Sequence, residues 1–272
     1  DSVKLNAEGA APIRPFLEEI AAANTEKEII RLIAKIGKYA SNPFFGFYVG
    51  PDDKNSSMNI AQLAQSGIGL GDREYYLADD EHSKMLRDEY RKLINTQFKN
   101  AGYSDADAAK ASSVVMKIET ELAESHITKE MRRLPELNYH KYLVSELNEK
   151  VAPFDWAYYL EEVGAANADS INVSQVEPVR RAIQLIHTEP IDHIKDYLSW
   201  KVINSAANFL SDEFVNANFE FYGKKMSGSK ELRPRWKRSI DAVNSALGEA
   251  VGQLYVEKYF PPQAKDRMLQ LV

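Results

Sequence analysis

Across most of its length the chain spaces its apolar residues three and four apart, and this periodicity limits the available folds more than any other feature. Between Ser83 and Ala101, Leu86, Tyr90, Leu93, Ile94 and Phe98 fall on one face of a helix. Ser104 is a suitable N-cap for a second helix over Asp105 to Ser125, a stretch rich in strong helix formers. Pro153 separates two further helical runs, from about 138 to 150 and from 154 to 163, and Pro178 opens another over 179 to 187. From Asp192 to about Phe221 the pattern of Tyr197, Leu198, Trp200, Val202, Ile203, Ala206, Phe209 and Leu210 predicts a long helix, with Ser211 the place where it would break. Arg235 to Tyr259 carries Ile240, Val243, Leu247, Ala250, Val251, Leu254 and Tyr255 in register, and Pro261-Pro262 closes it.

One segment departs from the helical rule. Phe44 to Val49 is aromatic and β-branched, Gly50 to Ser56 supplies turn chemistry, and Ser57 to Gln65 can return as a second strand. The expected fold is mainly α, a multi-helix domain with one short β-hairpin near residues 44–65. No internal repeat or low-complexity linker divides the chain.

At 272 residues, one or two packed units are both possible, since domains average roughly 100 to 200 residues. A composition 44% hydrophobic and 27% charged is ordinary globular usage. The formal charge of −6, from 34 basic and 40 acidic side chains, provides no field that would gather a polyanion, so nucleic acid is not an expected partner. The chain has no cysteine, which excludes disulfides, thiolate metal sites and a cysteine nucleophile. No stretch approaches the roughly 18 consecutive apolar residues that a membrane span needs. The opening Asp1-Ser2-Val3-Lys4-Leu5 has no signal-peptide order, and we expect the chain to be a piece of a longer one.

The motifs that could carry chemistry are few. In QSGIGLGDREYYL, Gly67, Gly69 and Gly71 fail the third position of a dinucleotide fingerprint, and no Lys-Ser or Lys-Thr follows to make a nucleotide-hydrolase loop. A structural turn with glycines free to take positive φ is the simpler expectation. His187 and His193 frame two acids in HTEPIDH, but six residues is not a same-face helical spacing and Pro190 interrupts. His82, His126 and His140 stand alone, and no His-Glu-x-x-His occurs. Asp52 and Asp53 lack the pattern of a calcium loop and read as an exposed turn. Arg233, Arg235, Lys237 and Arg238 surround Trp236; a proline-led helix start with the tryptophan packed inward is a simpler reading than an anion site. There is no Gly-x-Ser-x-Gly elbow, and pairs such as Asp79-Asp80 and Glu161-Glu162 do not face one another.

Three stretches nevertheless resemble one family when taken in order. GPDDKNSSMNIAQLAQSGIGLGDREYYL from Gly50, FDWAYYL from Phe154 with YLSWKVINSAA from Tyr197, and PRWKRSIDAVNSALGEAVGQLYVEKYFPPQAKDRMLQLV from Pro234 are similar to the neprilysin-like zinc metallopeptidases, which include the endothelin-converting enzymes and bacterial oligopeptidases. Gly71 stands where that family commonly has proline, and Ser239 where animal members have cysteine.

The resemblance implies that residues 1–272 are the helical, non-catalytic capping domain of a larger bacterial zinc metalloendopeptidase. The last helix would lead toward the catalytic domain, which is the expected partner. The cap would wall a chamber that admits oligopeptides. The family's zinc helix and its ligands match no position here, so zinc is expected in the parent and no metal, cofactor or catalytic residue in this chain. The fragment alone is expected to be inactive, and the parent exported to the periplasm or cell envelope. The residues singled out are those of the structural turn: Gly67, Gly69, Asp72, Arg73, Tyr75 and Tyr76. A stand-alone helical protein- or peptide-binding module is the alternative.

Overall fold

A computed structural model describes residues 2–271. The chain divides into two compact units, Asp1–Ser227 and Gly228–Val272. In the first, α1 (Ser2–Glu8) and α2 (Arg14–Ala22) precede α3 (Glu26–Tyr39). α3 starts at a capping box: the Thr25 hydroxyl accepts from the Glu28 amide, and the Glu28 carboxylate accepts from the Thr25 amide. It buries Ile29, Ile30, Leu32, Ile33 and Ile36.

The hairpin follows as β1 (Phe45–Asp52) and β2 (Asn55–Gln65), paired antiparallel from Phe45 opposite Gln65 to Asp52 opposite Asn55. The strands run further than expected, and the turn shrinks to Asp53 and Lys54. Asp52 is buried rather than part of an exposed turn. Its carboxylate takes the Lys141 ammonium at 2.9 Å, the Lys54 amide at 3.0 Å and the Tyr139 hydroxyl at 2.9 Å. The Lys141 contact, then the Lys54 amide, hold its pKa down at about 2.

After a glycine-containing crossing, α4 (Glu74–Leu77) leads to α5 (Glu81–Asn100) and α6 (Asp105–Ser125). Asp80 and Ser104 cap α5 and α6 by accepting the Ser83 and Asp107 amides. The helix expected over 138–150 gives way to β3 (Lys141–Leu143) and a single turn, α7 (Leu147–Lys150). Tertiary pairing overrides helical spacing here: the Asn172 side chain accepts the His140 amide at 2.7 Å, and β3 pairs antiparallel with β4 (Ser170–Val173), which follows α8 (Trp156–Glu162). β4 also pairs parallel with β2, Ala61 opposite Ile171 and Leu63 opposite Val173. The hairpin is therefore half of a four-stranded sheet ordered β1-β2-β4-β3.

The unit closes with α9 (Val176–Thr188), α10 (Ile191–Ala206), α11 (Asp212–Asn218) and a π-helical turn over Phe219–Met226. The expected long helix ends earlier, at Ala206, passes through a 3-10 turn over Ala207–Phe209 and restarts after Ser211, where the distant Asn6 side chain accepts the Asp212 amide at 2.9 Å. The core is rich in fully buried aromatic side chains, among them Trp200, Tyr90, Tyr197, Phe44, Phe98 and Phe214. Tyr90 and Trp200 meet edge-on at 5.9 Å between ring centroids.

The second unit consists of α12 (Arg235–Tyr259) and α13 (Pro262–Leu271), and neither has a buried residue. α12 departs from helical geometry at Leu247 (φ −128°, ψ 26°). Trp236 is 62% exposed instead of packed inward, with Lys237 lying 5.4 Å from its ring. Arg233 pairs with Asp241. No described helix is long and apolar enough to cross a membrane.

Candidate functional site

The crossing between β2 and α4 holds the glycines. Gly67 has φ +97°, and a Cβ there would meet the Tyr197 hydroxyl at 2.7 Å. Its carbonyl accepts from the Tyr197 hydroxyl at 2.7 Å and from the Lys201 ammonium, two side chains one turn apart on α10. Two residues on, the Gly69 amide donates to Glu119 Oε2 and to the Tyr76 hydroxyl, both at 3.0 Å. Tyr76 in turn donates to Glu119 Oε2 at 2.6 Å, and the Leu70 amide donates to the Tyr76 hydroxyl at 3.0 Å. Gly69 lies so close to Tyr90 that an added Cβ would overlap the phenol oxygen.

The anion that this glycine stretch receives is thus a carboxylate of the protein itself. Glu119 is completely buried on α6, and its other oxygen takes Lys201 at 3.2 Å and the Tyr90 hydroxyl at 3.3 Å. Trp200 donates to Tyr90 at 3.0 Å, and Tyr222 donates to the Gly69 carbonyl at 3.4 Å. Burial, reinforced by the Glu119 charge, raises the pKa of Tyr76, Tyr90 and Tyr197 well above the usual phenol range, so all three remain donors. An ion pair this well enclosed by donors is a structural joint between the sheet, α6 and α10. It leaves no unengaged carboxylate oxygen for chemistry on a substrate.

Of the residues singled out from sequence, Gly67, Gly69 and Tyr76 meet at this joint. Asp72 and Arg73 do not; they line an adjacent cleft of about 180 Å³. Asp72 accepts the Glu74 amide at 3.1 Å and pairs with Lys129 at 2.6 Å. Arg73 donates from Nε to the Ala123 carbonyl at 3.3 Å and pairs with Glu74 at 2.8 Å. Tyr75 lies outside the cleft lining; its carbonyl accepts from Arg87 at 2.8 Å. The cleft also includes Ser66, His126, Ile127 and Arg132.

Glu119 and Lys201 escaped the sequence reading, although a signal existed. Glu119 interrupts the apolar stripe of Val115 and Leu122 on α6, and Lys201 interrupts that of Ile194, Tyr197 and Leu198 on α10. A charge inside a buried stripe requires a partner.

The histidines do not converge. His187 contacts the Pro153 carbonyl at 3.0 Å, whereas His193 lies 2.8 Å from Glu189, which is itself held by Lys117. His140 contacts the Val173 carbonyl at 3.0 Å. His126 is buried with Nε2 lacking a partner. Burial first, then the neighbouring Arg132, Arg73 and Lys201, push its pKa down to about 4, against the opposing Ser66 backbone contact.

The helical scaffold, with its small mixed sheet and a charged joint at the glycine crossing, has counterparts of known kind. A family model described as Peptidase family M13 matches residues 1–272, and the chain belongs to that family of zinc metallopeptidases, of which it is the N-terminal region. Endothelin-converting enzyme 1 of Mus musculus is 30% identical over 239 residues, covering 86% of this chain and 31% of the relative. The human enzyme gives the same identity and coverage. The chain therefore spans about a third of the length of the curated relatives it matches. Among solved structures, the Mycobacterium tuberculosis zinc metalloprotease Zmp1 in complex with inhibitor superposes with a TM-score of 0.90 at 29% identity, over 100% of this chain and 41% of that one. PepO from Lactobacillus rhamnosis HN001, at 18% identity and a TM-score of 0.79 over 99% of this chain and 43% of that one, shares the fold.

The family's zinc does not fit this donor set. Among the described residues no three His, Cys, Asp or Glu side chains come together as metal ligands, and the acids nearest a histidine are already paired with lysine or with that histidine alone.

Proposed function

We propose that the chain is the capping domain of a zinc metalloendopeptidase, forming part of the wall of the substrate chamber while the metal and catalytic groups are held elsewhere in the parent. One observation carries this reading. Along α12 and α13, Ile240, Val243, Leu247, Leu254, Tyr255, Tyr259, Met268 and Leu269 are all exposed, and no residue of either helix is buried. Apolar surface left in water forgoes about 25 cal/mol per Å² of stabilisation, and exposed rows of this length mark a contact surface. In the proposal, the remaining part of the enzyme covers that row. The fraction of the relatives that the chain spans supports it. The cap would exclude folded proteins sterically and admit oligopeptides, and would contribute no group to bond cleavage.

The test has two arms. The purified chain, incubated with zinc and a fluorogenic oligopeptide, is expected to show no chelator-sensitive cleavage; robust cleavage would overturn the proposal. Hydroxyl-radical footprinting should label Leu254, Tyr255 and Tyr259 strongly in the isolated chain and weakly in the full-length parent. Equal labelling in both would favour a free-standing binding module.

A further inference from the structure

The cleft beside the glycine joint has an excess of positive charge that the protein does not neutralise. Arg73, Lys129 and Arg132 line it, against a single lining carboxylate, Asp72. Asp72 is already engaged with Lys129, and Arg73 is held by Glu74 and the Ala123 carbonyl. Arg132 makes no ion pair among the described residues and sits in a short helical turn after α6, Met131–Arg133. At the back is His126, about 95% buried, with an Nε2 that finds no partner in the protein. Like charges gathered at one site cost free energy, and a buried polar nitrogen left unmatched adds to that cost.

We infer that this cleft is a binding site for a small oxyanion, a carboxylate or a phosphate, held mainly by Arg132 with Arg73 and Lys129 flanking it. The size agrees. At about 180 Å³ the cleft has room for one carboxylate or phosphate group together with ordered water. The chemistry agrees as well, since a guanidinium matches the paired oxygens of either anion. His126 is hard to protonate first because it is buried and then because Arg132, Arg73 and Lys201 stand near it; an arriving negative charge would offset the second effect, and a protonated ring would offer Nε2–H as a further donor. The site lies within the first unit and does not depend on the proposed capping role.

The experiment titrates the 272-residue chain at constant ionic strength with inorganic phosphate, with the dipeptide alanyl-alanine and with that dipeptide's C-terminal amide. The readout is the His126 ring resonances by NMR, assigned by comparison with His126→Gln. A saturable shift with phosphate or with the free acid, but not with the amide, is expected. Phosphate alone acting would identify a phosphate-type ligand, and the free acid acting would identify a peptide carboxylate. Arg132→Gln should weaken the response about tenfold, the loss expected for one charge-assisted contact, and Arg133→Gln, which removes the same charge one residue outside the lining, by no more than about twofold. No saturable shift with either anion, an equal response to the amide, or equal weakening by the two variants would overturn the assignment.

Discussion

Glu119 and Lys201 approach to 3.2 Å with their side chains 0% and 6% exposed, the most deeply buried ion pair among those of the described residues. Each also fixes the glycine crossing directly: Glu119 accepts the Gly69 amide, and Lys201 donates to the Gly67 carbonyl. Removing one partner strands the other charge in the core, whereas neutralising both leaves no uncompensated charge there, and a glutamine at 119 still accepts from the Gly69 amide and the Tyr76 hydroxyl. Lys201→Met is therefore expected to lower the unfolding free energy by about 3–5 kcal/mol in urea titrations, and Glu119→Gln/Lys201→Met to recover much of that loss. A single Lys201→Met variant within about 0.5 kcal/mol of the parent chain would show that the pair does not hold the crossing.

The crossing is equally sensitive to volume. Because a methyl group at Gly69 would overlap the Tyr90 hydroxyl, Gly69→Ala must displace a ring that also receives Trp200 and donates to Glu119. Overpacking of this kind costs about 1–3 kcal/mol. If the hydroxyl is the obstacle, the cost of Gly69→Ala should be smaller when measured in a Tyr90→Phe background. An unchanged cost in that double-mutant cycle would place the strain elsewhere.

The sequence made the helices legible and left the joint hidden, for reasons visible at particular residues. Helices α5 and α6 carry long amphipathic stripes with caps at Asp80 and Ser104, so local information suffices. Strands β3 and β4 have three and four residues, too few for an alternation to register, and exist because β2 and Asn172 hold them from across the fold. The inward tryptophan expected at 236 follows from a proline-led helix start, which reports where a helix begins but not what covers its first turn. The glycine stretch reads from sequence as a structural turn because its spacing fails the phosphate-loop patterns, but Glu119 and Lys201 lie 50 and 134 residues away from the glycines they bind. No local pattern encodes such a pairing.

His126 should impose a pH dependence on stability. Its folded pKa of about 4 lies below the ordinary value of 6.5, so between those values the unfolded chain binds the proton more readily. Stability from this group is fully present above pH 6.5 and is lost as the pH falls toward 4, by about 3 kcal/mol in all. Urea midpoints measured between pH 7 and pH 4 should fall, and His126→Gln should flatten that part of the profile. Carboxylates such as Asp52, held down at about 2, lose their contribution only at lower pH, so they do not mask the effect. A profile unchanged by His126→Gln would mean that the ring is already charged, or readily solvated, in the folded state.

Two sequons, Asn55-Ser56-Ser57 and Asn172-Val173-Ser174, differ sharply in their surroundings. Asn55 is exposed at the hairpin tip and accepts the Ser57 hydroxyl at 2.7 Å. Asn172 is buried in β4, donating to Gln62 at 2.6 Å and to the Asn138 carbonyl at 3.2 Å while accepting the His140 amide. A glycan attached there before folding would break all three contacts and block the pairing of β4 with β2 and β3. When the chain is secreted from a eukaryotic host, the folded product should therefore carry one N-glycan, at Asn55, seen as a single mass step on enzymatic deglycosylation. Asn55→Gln should abolish that step. Asn172→Gln should leave it unchanged but lower stability by about 1–3 kcal/mol through the unmatched buried groups. Recovery of folded protein glycosylated at Asn172 would contradict the buried placement of that side chain.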